Sequence, residues 1–284
     1  MLRVEDHGRA RLLTFDRPEA LNAFNNGLYD AVAGALTDAA DDPEVAVVVL
    51  TGEGRAFSAG QDLLEMADLA MRFGSDDDAP ATNDTGAGDE VPADPPSGFP
   101  HLLDALQSFP KPLIAAVNGI GLGIGFTMLA HCDLVFIAEG ARLKTPFTSL
   151  GVSPEAASSY LFPMRMGWQQ AARVLFTSDW VSAEEAVELG IAYRLCAPDA
   201  LLDETMEMAG RIARMPISSL VTTKRLMLDA QLPLIERARA REEAAFVTVM
   251  GGPANLEALT AFAEKREPDF TDVDDRPPVG LPEP

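Results

Sequence analysis

From Pro112 to Ala130 the chain runs for 19 residues without a charged side chain, and glycine returns at alternate positions through its middle: Gly119, Gly121, Gly123 and Gly125. An uncharged stretch of this length approaches what a helix needs to cross a bilayer. The glycines, with Asn118 before them, break such a helix at its centre, so a buried strand, a glycine turn and a helix start fit better. The dinucleotide pattern G-x-G-x-x-G is excluded, because it requires glycine where Ile124 stands. Similar units flank this one. Arg11–Phe15 and Ala46–Leu50 are apolar runs of strand length, and between them Leu28, Val32 and Leu36 recur as on one helix face, which predicts a β-α-β start. Leu113–Val117 and Leu134–Ile137 read as further strands. Helical patterns follow at 171–176, 183–189, 201–215, 218–230 and 234–250. Strands crowd the first half and helices the second, the order of an α/β core followed by a helical region that packs on it or on a neighbouring subunit.

The 284 residues carry a net charge of −22, and an apolar fraction of 47% is that of a globular protein. A chain of this length buries a large core without disulfide or metal staples. The charge is concentrated. Residues 72–100 and 267–284 hold half of it and 10 of the 21 prolines, with few apolar side chains to anchor them. Both segments read as mobile or disordered, the first as an insertion and the second as a tail. No Lys/Arg cluster exists to displace counterions, so nucleic acid and anionic membranes are excluded as partners. Cys132 and Cys196 form no zinc spacing and no disulfide framework, and the first eleven residues hold no apolar signal region, which together predict a cytoplasmic protein.

No G-x-S-x-G and no histidine pair with metal-ligand spacing is present; His7, His101 and His131 stand alone. Two small-residue turns stand out instead, Gly54–Leu63 and Asn118–Gly125, each between a strand and a helical pattern. Backbone N–H groups there can approach a ligand closely and lack helical partners. Facing one another, they would form an oxyanion hole; taken singly, each is equally a tight turn. A third segment, Thr145–Tyr160, holds one carboxylate, Glu155, among Pro, Ala and Ser. A lone acid in such surroundings has a raised pKa and suits a general base, although a charge at a helix N-terminus reads the same way.

Taken together these three segments resemble the crotonase superfamily, the enoyl-CoA hydratases and isomerases. The likeness runs through Phe15–Phe24, Arg55–Leu63, Lys111–Asp133, Leu175–Gly190 and Phe262–Arg266, and leaves mainly the two acidic segments uncovered. It implies a spiral of ββα repeats over residues 1–200, a helical trimerisation region over 201–266, and an assembly of a homotrimer or a dimer of trimers. It also implies a CoA thioester as substrate, with no metal and no redox cofactor. By position the oxyanion N–H groups are those of Gln61 and Ile124. Ser58, Ala59, Gly60, Asp62 and Leu63 match the stretch that lines the CoA channel, and Phe262 and Lys265 match a C-terminal pair that reaches CoA, often from a neighbouring subunit.

Departures from the family pattern bear on the reaction. The two glutamates with which its hydratases hold water correspond to Thr127 and Phe147, neither of which can act as acid or base. They read as pocket walls. Glu155 coincides with the single catalytic glutamate of the peroxisomal-type 3,2-enoyl-CoA isomerases, within a very similar run, Ser153–Pro163. The resemblance therefore implies a shift of a 3-enoyl-CoA to a 2-enoyl-CoA, in fatty acid oxidation, by one base. A hydratase, a lyase or dehalogenase on the same scaffold, and a non-catalytic acyl-CoA-binding module are the alternatives.

Overall fold

The computed structural model describes residues 1–62 and 97–274. Strands β1 (Leu2–His7) and β2 (Ala10–Phe15) form an antiparallel hairpin turning at Gly8, whose φ of 65° is glycine territory. Helix α1 (Asn26–Asp41) follows. The Asn25 side chain accepts the Leu28 N–H at its start, and Leu28, Val32 and Leu36 are fully buried, as their spacing predicted. The chain returns as β3 (Val47–Gly52), parallel to β2, which completes the expected β-α-β unit.

From there each circuit of the chain places one strand in each of two sheets. After β3 comes β4 (Ala56–Ser58); after β5 (Leu113–Val117) comes β6 (Ile120–Leu122); after β7 (Leu134–Ala138) comes β8 (Arg142–Lys144). The larger sheet has the order β1-β2-β3-β5-β7-β10, with β10 at Arg194–Cys196, and the smaller has the order β4-β6-β8-β9, with β9 at Val181–Ser182. This is a spiral of ββα repeats. Every residue of β3 and β5 is buried, which explains why both read as unbroken apolar runs rather than alternating ones. The uncharged run resolves as β5, β6, the single-turn helix α3 (Ile124–Thr127) and a 3-10 turn at Met128–His131.

Helix α2 (Phe99–Ser108) precedes β5; α4 (Ser158–Met166), α5 (Trp168–Thr177) and α6 (Ala183–Glu188) follow β8. The helical region comprises α7 (Leu201–Ala213), which packs across β3 and β5, then α8 (Ile217–Leu228), α9 (Leu232–Val249) and α10 (Pro253–Glu264). Among the described residues no helix is long and apolar enough to cross a membrane.

The acidic insertion ends earlier than expected. Phe99 and Pro100 already belong to α2, and the Gly98 N–H donates to Asp30 Oδ1 on α1 at 2.7 Å, a carboxylate that also meets His101 Nδ1 at 2.9 Å. At the other end of the gap, Gln61 bridges to Phe24 just before α1: Phe24 N–H donates to Gly60 O at 2.7 Å and Asp62 N–H to Phe24 O at 2.8 Å. The start of the tail is likewise placed, since the Asp269 N–H donates to Glu257 at 2.9 Å. The rest of both acidic segments, 72–96 and 275–284, lies outside the described residues, as does Leu63.

Candidate active site

The two small-residue turns meet. Gly60, at a φ of 86°, lies so near the second turn that a Cβ on it would be 2.8 Å from Leu122 O, and a Cβ on Gly123 would be 3.9 Å from the Gly60 Cα. Gly125 is required in the same sense, because its Cβ would fall 2.7 Å from Ser58 O. Ser58 does not face the cavity. Its buried hydroxyl donates to Asn22 O at 2.9 Å and accepts the Gly60 N–H at 3.1 Å, which fixes the first turn from beneath. The N–H groups of Gln61 and Ile124 find no acceptor among the described residues, and both residues line one cavity of about 690 Å³ together with Ala59, Gly60 and Gly123. Ile124 opens α3, where an N–H has no intrahelical partner. Two free donors on abutting turns are suited to an oxygen that gains negative charge.

Glu155 lines the same cavity. Thr127 Oγ1 donates to its Oε1 at 2.5 Å, while Oε2 is shut off from solvent and has no partner among the described residues. Burial is the largest influence on this carboxyl and pushes it up to about 8; the Thr127 hydrogen bond works in the opposite direction, and the charge of Glu242 adds to the rise. Thr127 is thus corrected from a wall to a partner: it is fully buried, lies outside the cavity lining and touches the carboxyl directly. Its hydroxyl is also 3.3 Å from Gly123 O, so it can donate to an ionised Glu155 or turn to Gly123 and accept from a protonated one. Phe147, 5% exposed, lines the cavity with Tyr29, Phe99, Leu103, Phe246 and Met250.

Glu155 leads into Ala156 and Ala157, two successive alanines at positive φ, 58° and 57°. Three groups hold this segment. Glu242 on α9 accepts the Ala157 N–H at 2.6 Å and the Ser159 N–H at 2.7 Å, and His131 Nε2 lies 2.9 Å from Ala156 O. Burial lowers the pKa of His131 to about 4, so the ring is neutral and its Nε2 carries the hydrogen that a carbonyl oxygen requires. Glu242, which sequence reading passed over, is buried; it sits in the charged run Arg239–Glu243 but shares the helical face of Ile235 and Phe246, and that spacing was its only signal.

The other expected CoA contacts lie elsewhere in this single chain. Asp62 pairs with Arg17 at 3.2 Å, and Phe262 and Lys265, both exposed at the end of α10, do not line the cavity. Among the described residues no group of three or more His, Cys, Asp or Glu is placed to hold a metal ion.

A family model described as enoyl-CoA hydratase/isomerase matches residues 9–273. The 2,3-dehydroadipyl-CoA hydratase of Escherichia coli K12 is 33% identical over 267 residues, covering 94% of this chain and 97% of that protein. Among solved structures, the enoyl-CoA hydratase EchA8_6 from Mycobacterium marinum is 50% identical with a TM-score of 0.68, covering 80% of this chain and 99% of that one. An enoyl-CoA hydratase/isomerase from Pseudoalteromonas atlantica T6c is 31% identical with a TM-score of 0.82, covering 95% and 99%.

Proposed function

The chain belongs to the enoyl-CoA hydratase/isomerase family, whose members act on acyl-CoA thioesters, and from that premise we propose that it moves the double bond of a 3-enoyl-CoA to the 2-position with Glu155 as its single base. The observation that carries this reading is the state of the three carboxylates on the cavity. Glu242 has both oxygens engaged by backbone N–H groups, and Glu243 accepts from Arg239 Nε at 2.7 Å. Glu155 alone offers a buried oxygen without a partner among the described residues.

The C2 proton of a 3-enoyl thioester is acidified by the carbonyl on one side and the double bond on the other. Glu155 takes that proton, the charge spreads into a dienolate, and the thioester oxygen rests between the N–H groups of Gln61 and Ile124. One such donor is worth about 3 kcal/mol in the transition state. The protonated carboxyl then delivers the same proton to C4. Nothing is consumed or released, so the cycle calls for no redox cofactor. A carboxyl titrating near 8 exchanges protons with a carbon acid at little cost once the thioester is held. Phe147 and the aromatic wall keep water from the dienolate.

Hydration of a 2-enoyl-CoA is the second reading, favoured by the names of the relatives above. The two are separated by offering the enzyme 3-enoyl-CoA and 2-enoyl-CoA in turn: a 2-enoyl product from the first supports isomerisation, and a 3-hydroxyacyl product that survives Glu155→Ala would defeat the single-base reading. We further propose that the exposed Phe262 and Lys265 serve a neighbouring copy's CoA within a trimer, and that the two buried thiols, Cys132 and Cys196, belong to a cytoplasmic protein.

A further inference from the structure

We propose that Glu242 is a positioning residue for the reaction: reaching from α9, it clamps the peptide unit beside Glu155 and so decides where the base lies. The inference rests on the reading of Glu155 as the base.

Ala156 O and Ala157 N–H belong to one peptide plane. The plane is held from both edges, its carbonyl by His131 at 2.9 Å and its N–H by Glu242 Oε2 at 2.6 Å. Glu242 Oε1 takes the Ser159 N–H at 2.7 Å, so the carboxyl fills the first turn of α4, where burial pushes it up to about 7 and the bonds from Ser159 and Ala157 act the other way. The clamp has something to oppose. Ala156 and Ala157 are both left-handed, a conformation that costs an L-residue about 1 kcal/mol each, and neither is glycine. Released, the segment has easier backbone conformations, and Glu155, one residue upstream, moves with it. Neither neighbouring segment supplies a substitute, because the α4 N-cap makes no side-chain hydrogen bond of its own.

Glu242 also acts on the base by charge. The charged groups around it are Glu155 across the loop and Arg239 and Glu243 on its own helix, and Arg239 is committed to Asp104 and Glu243. Above about pH 7, where the Glu242 carboxyl is ionised, its negative charge makes ionisation of Glu155 harder. Removing it lowers the pKa of the base.

Turnover of a 3-enoyl-CoA against pH, by wild type, Glu155→Gln and Glu242→Gln, tests this. Glu242→Gln keeps the shape but accepts only one of the two N–H groups. The expected result is kcat lowered about 10- to 100-fold, KM within about twofold, and the acid limb of the kcat profile moved to lower pH. A residue that merely stabilised the fold would lower the amount of active enzyme and leave the limb in place. An unmoved limb, or wild-type kcat, with Glu155→Gln inactive overturns the clamp alone; activity retained by Glu155→Gln overturns the base on which it rests. Should Glu242→Gln fail to fold, Glu242→Asp keeps the charge and shortens the reach: kcat per folded molecule lowered with the limb unmoved supports the clamp, and undiminished kcat per folded molecule overturns it.

Discussion

The floor and the arm of the cavity achieve the same end by opposite means. The floor, Ser58–Gln61 against Leu122–Gly125, presents backbone donors, and its shape depends on Gly60 and Gly125, where a Cβ would strike the facing turn, with the Ser58 hydroxyl accepting the Gly60 N–H beside Gln61. The arm, Glu155–Ala157, presents a side chain, takes up left-handed backbone with alanines, and depends on Thr127, His131 and Glu242, the last bonded to Ala157 across a separation of 85 residues. Backbone bonds hold the donors; side chains from elsewhere in the fold hold the Glu155 carboxyl. The consequence is an asymmetry in vulnerability, since the floor is tied to Leu21, Asn22, Phe24 and Lys144 through their backbone atoms, which side-chain changes there leave in place, whereas the arm depends on side chains from three other elements.

The largest test of that asymmetry removes the arm's chemistry and leaves the floor. Glu155→Gln should lower kcat about 10³-fold, as expected for loss of a general base, while the KM for acyl-CoA stays near wild type. Its stability should change in the other direction. The folded carboxyl holds its proton up to about pH 8, whereas its ordinary value is 4.5, so between these values the folded protein binds a proton that the unfolded chain has released. Wild-type stability therefore falls as pH rises through this window, and thermal melts should show Glu155→Gln gaining on wild type from pH 5 to 8. Next comes the floor. Gly60→Ala sets a Cβ 2.8 Å from Leu122 O at positive φ, and should cost about 100-fold in kcat and about 2 kcal/mol in a denaturant titration. Thr127→Val takes the hydrogen bond from the arm without changing its shape. It should lower kcat about tenfold at pH 7 and move the acid limb upward, because the bond favours the ionised carboxyl. The smallest effect is expected of Ala157→Gly, where relief of left-handed strain and loss of a buried methyl nearly cancel. A Tm within about 3 °C and kcat within about threefold should result, and a loss matching that of Gly60→Ala would end the distinction between floor and arm.

Strands β2, β3, β5 and β7 of the larger sheet and most of the helices were legible in sequence because their signals are long or periodic, as in the unbroken runs of β3 and β5 and the buried stripe of α1, whereas the outer strands β1 and β10 were not read. The smaller sheet was not, since strands such as Ala56–Ser58 and Val181–Ser182 are too short to show any period and exist only by pairing. Helix α4 was hidden by Pro163 within it and by the alanines at its start. At the site, the two small-residue turns and Glu155 could be singled out because turns and lone charges are local facts, whereas Gln61 and Ile124 were assigned within those turns by the family resemblance. Thr127 and Phe147 could be located but only Phe147 assigned to the wall, because a threonine hydroxyl declares its role only through its partner, here Glu155. Glu242 was lost among neighbouring charges, one of which, Glu243, is solvated and ion-paired.

The anchoring of Asp62 to Phe24 and of Gly98 to Asp30 places the two ends of the intervening chain around the start of one helix. Gln61, beside the first anchor, and Ser97, Phe99 and Leu103, beside the second, all line the cavity. The start of α1 is therefore a common mount for one backbone donor and for part of the cavity wall, and a change there reaches both sides of the cavity at once.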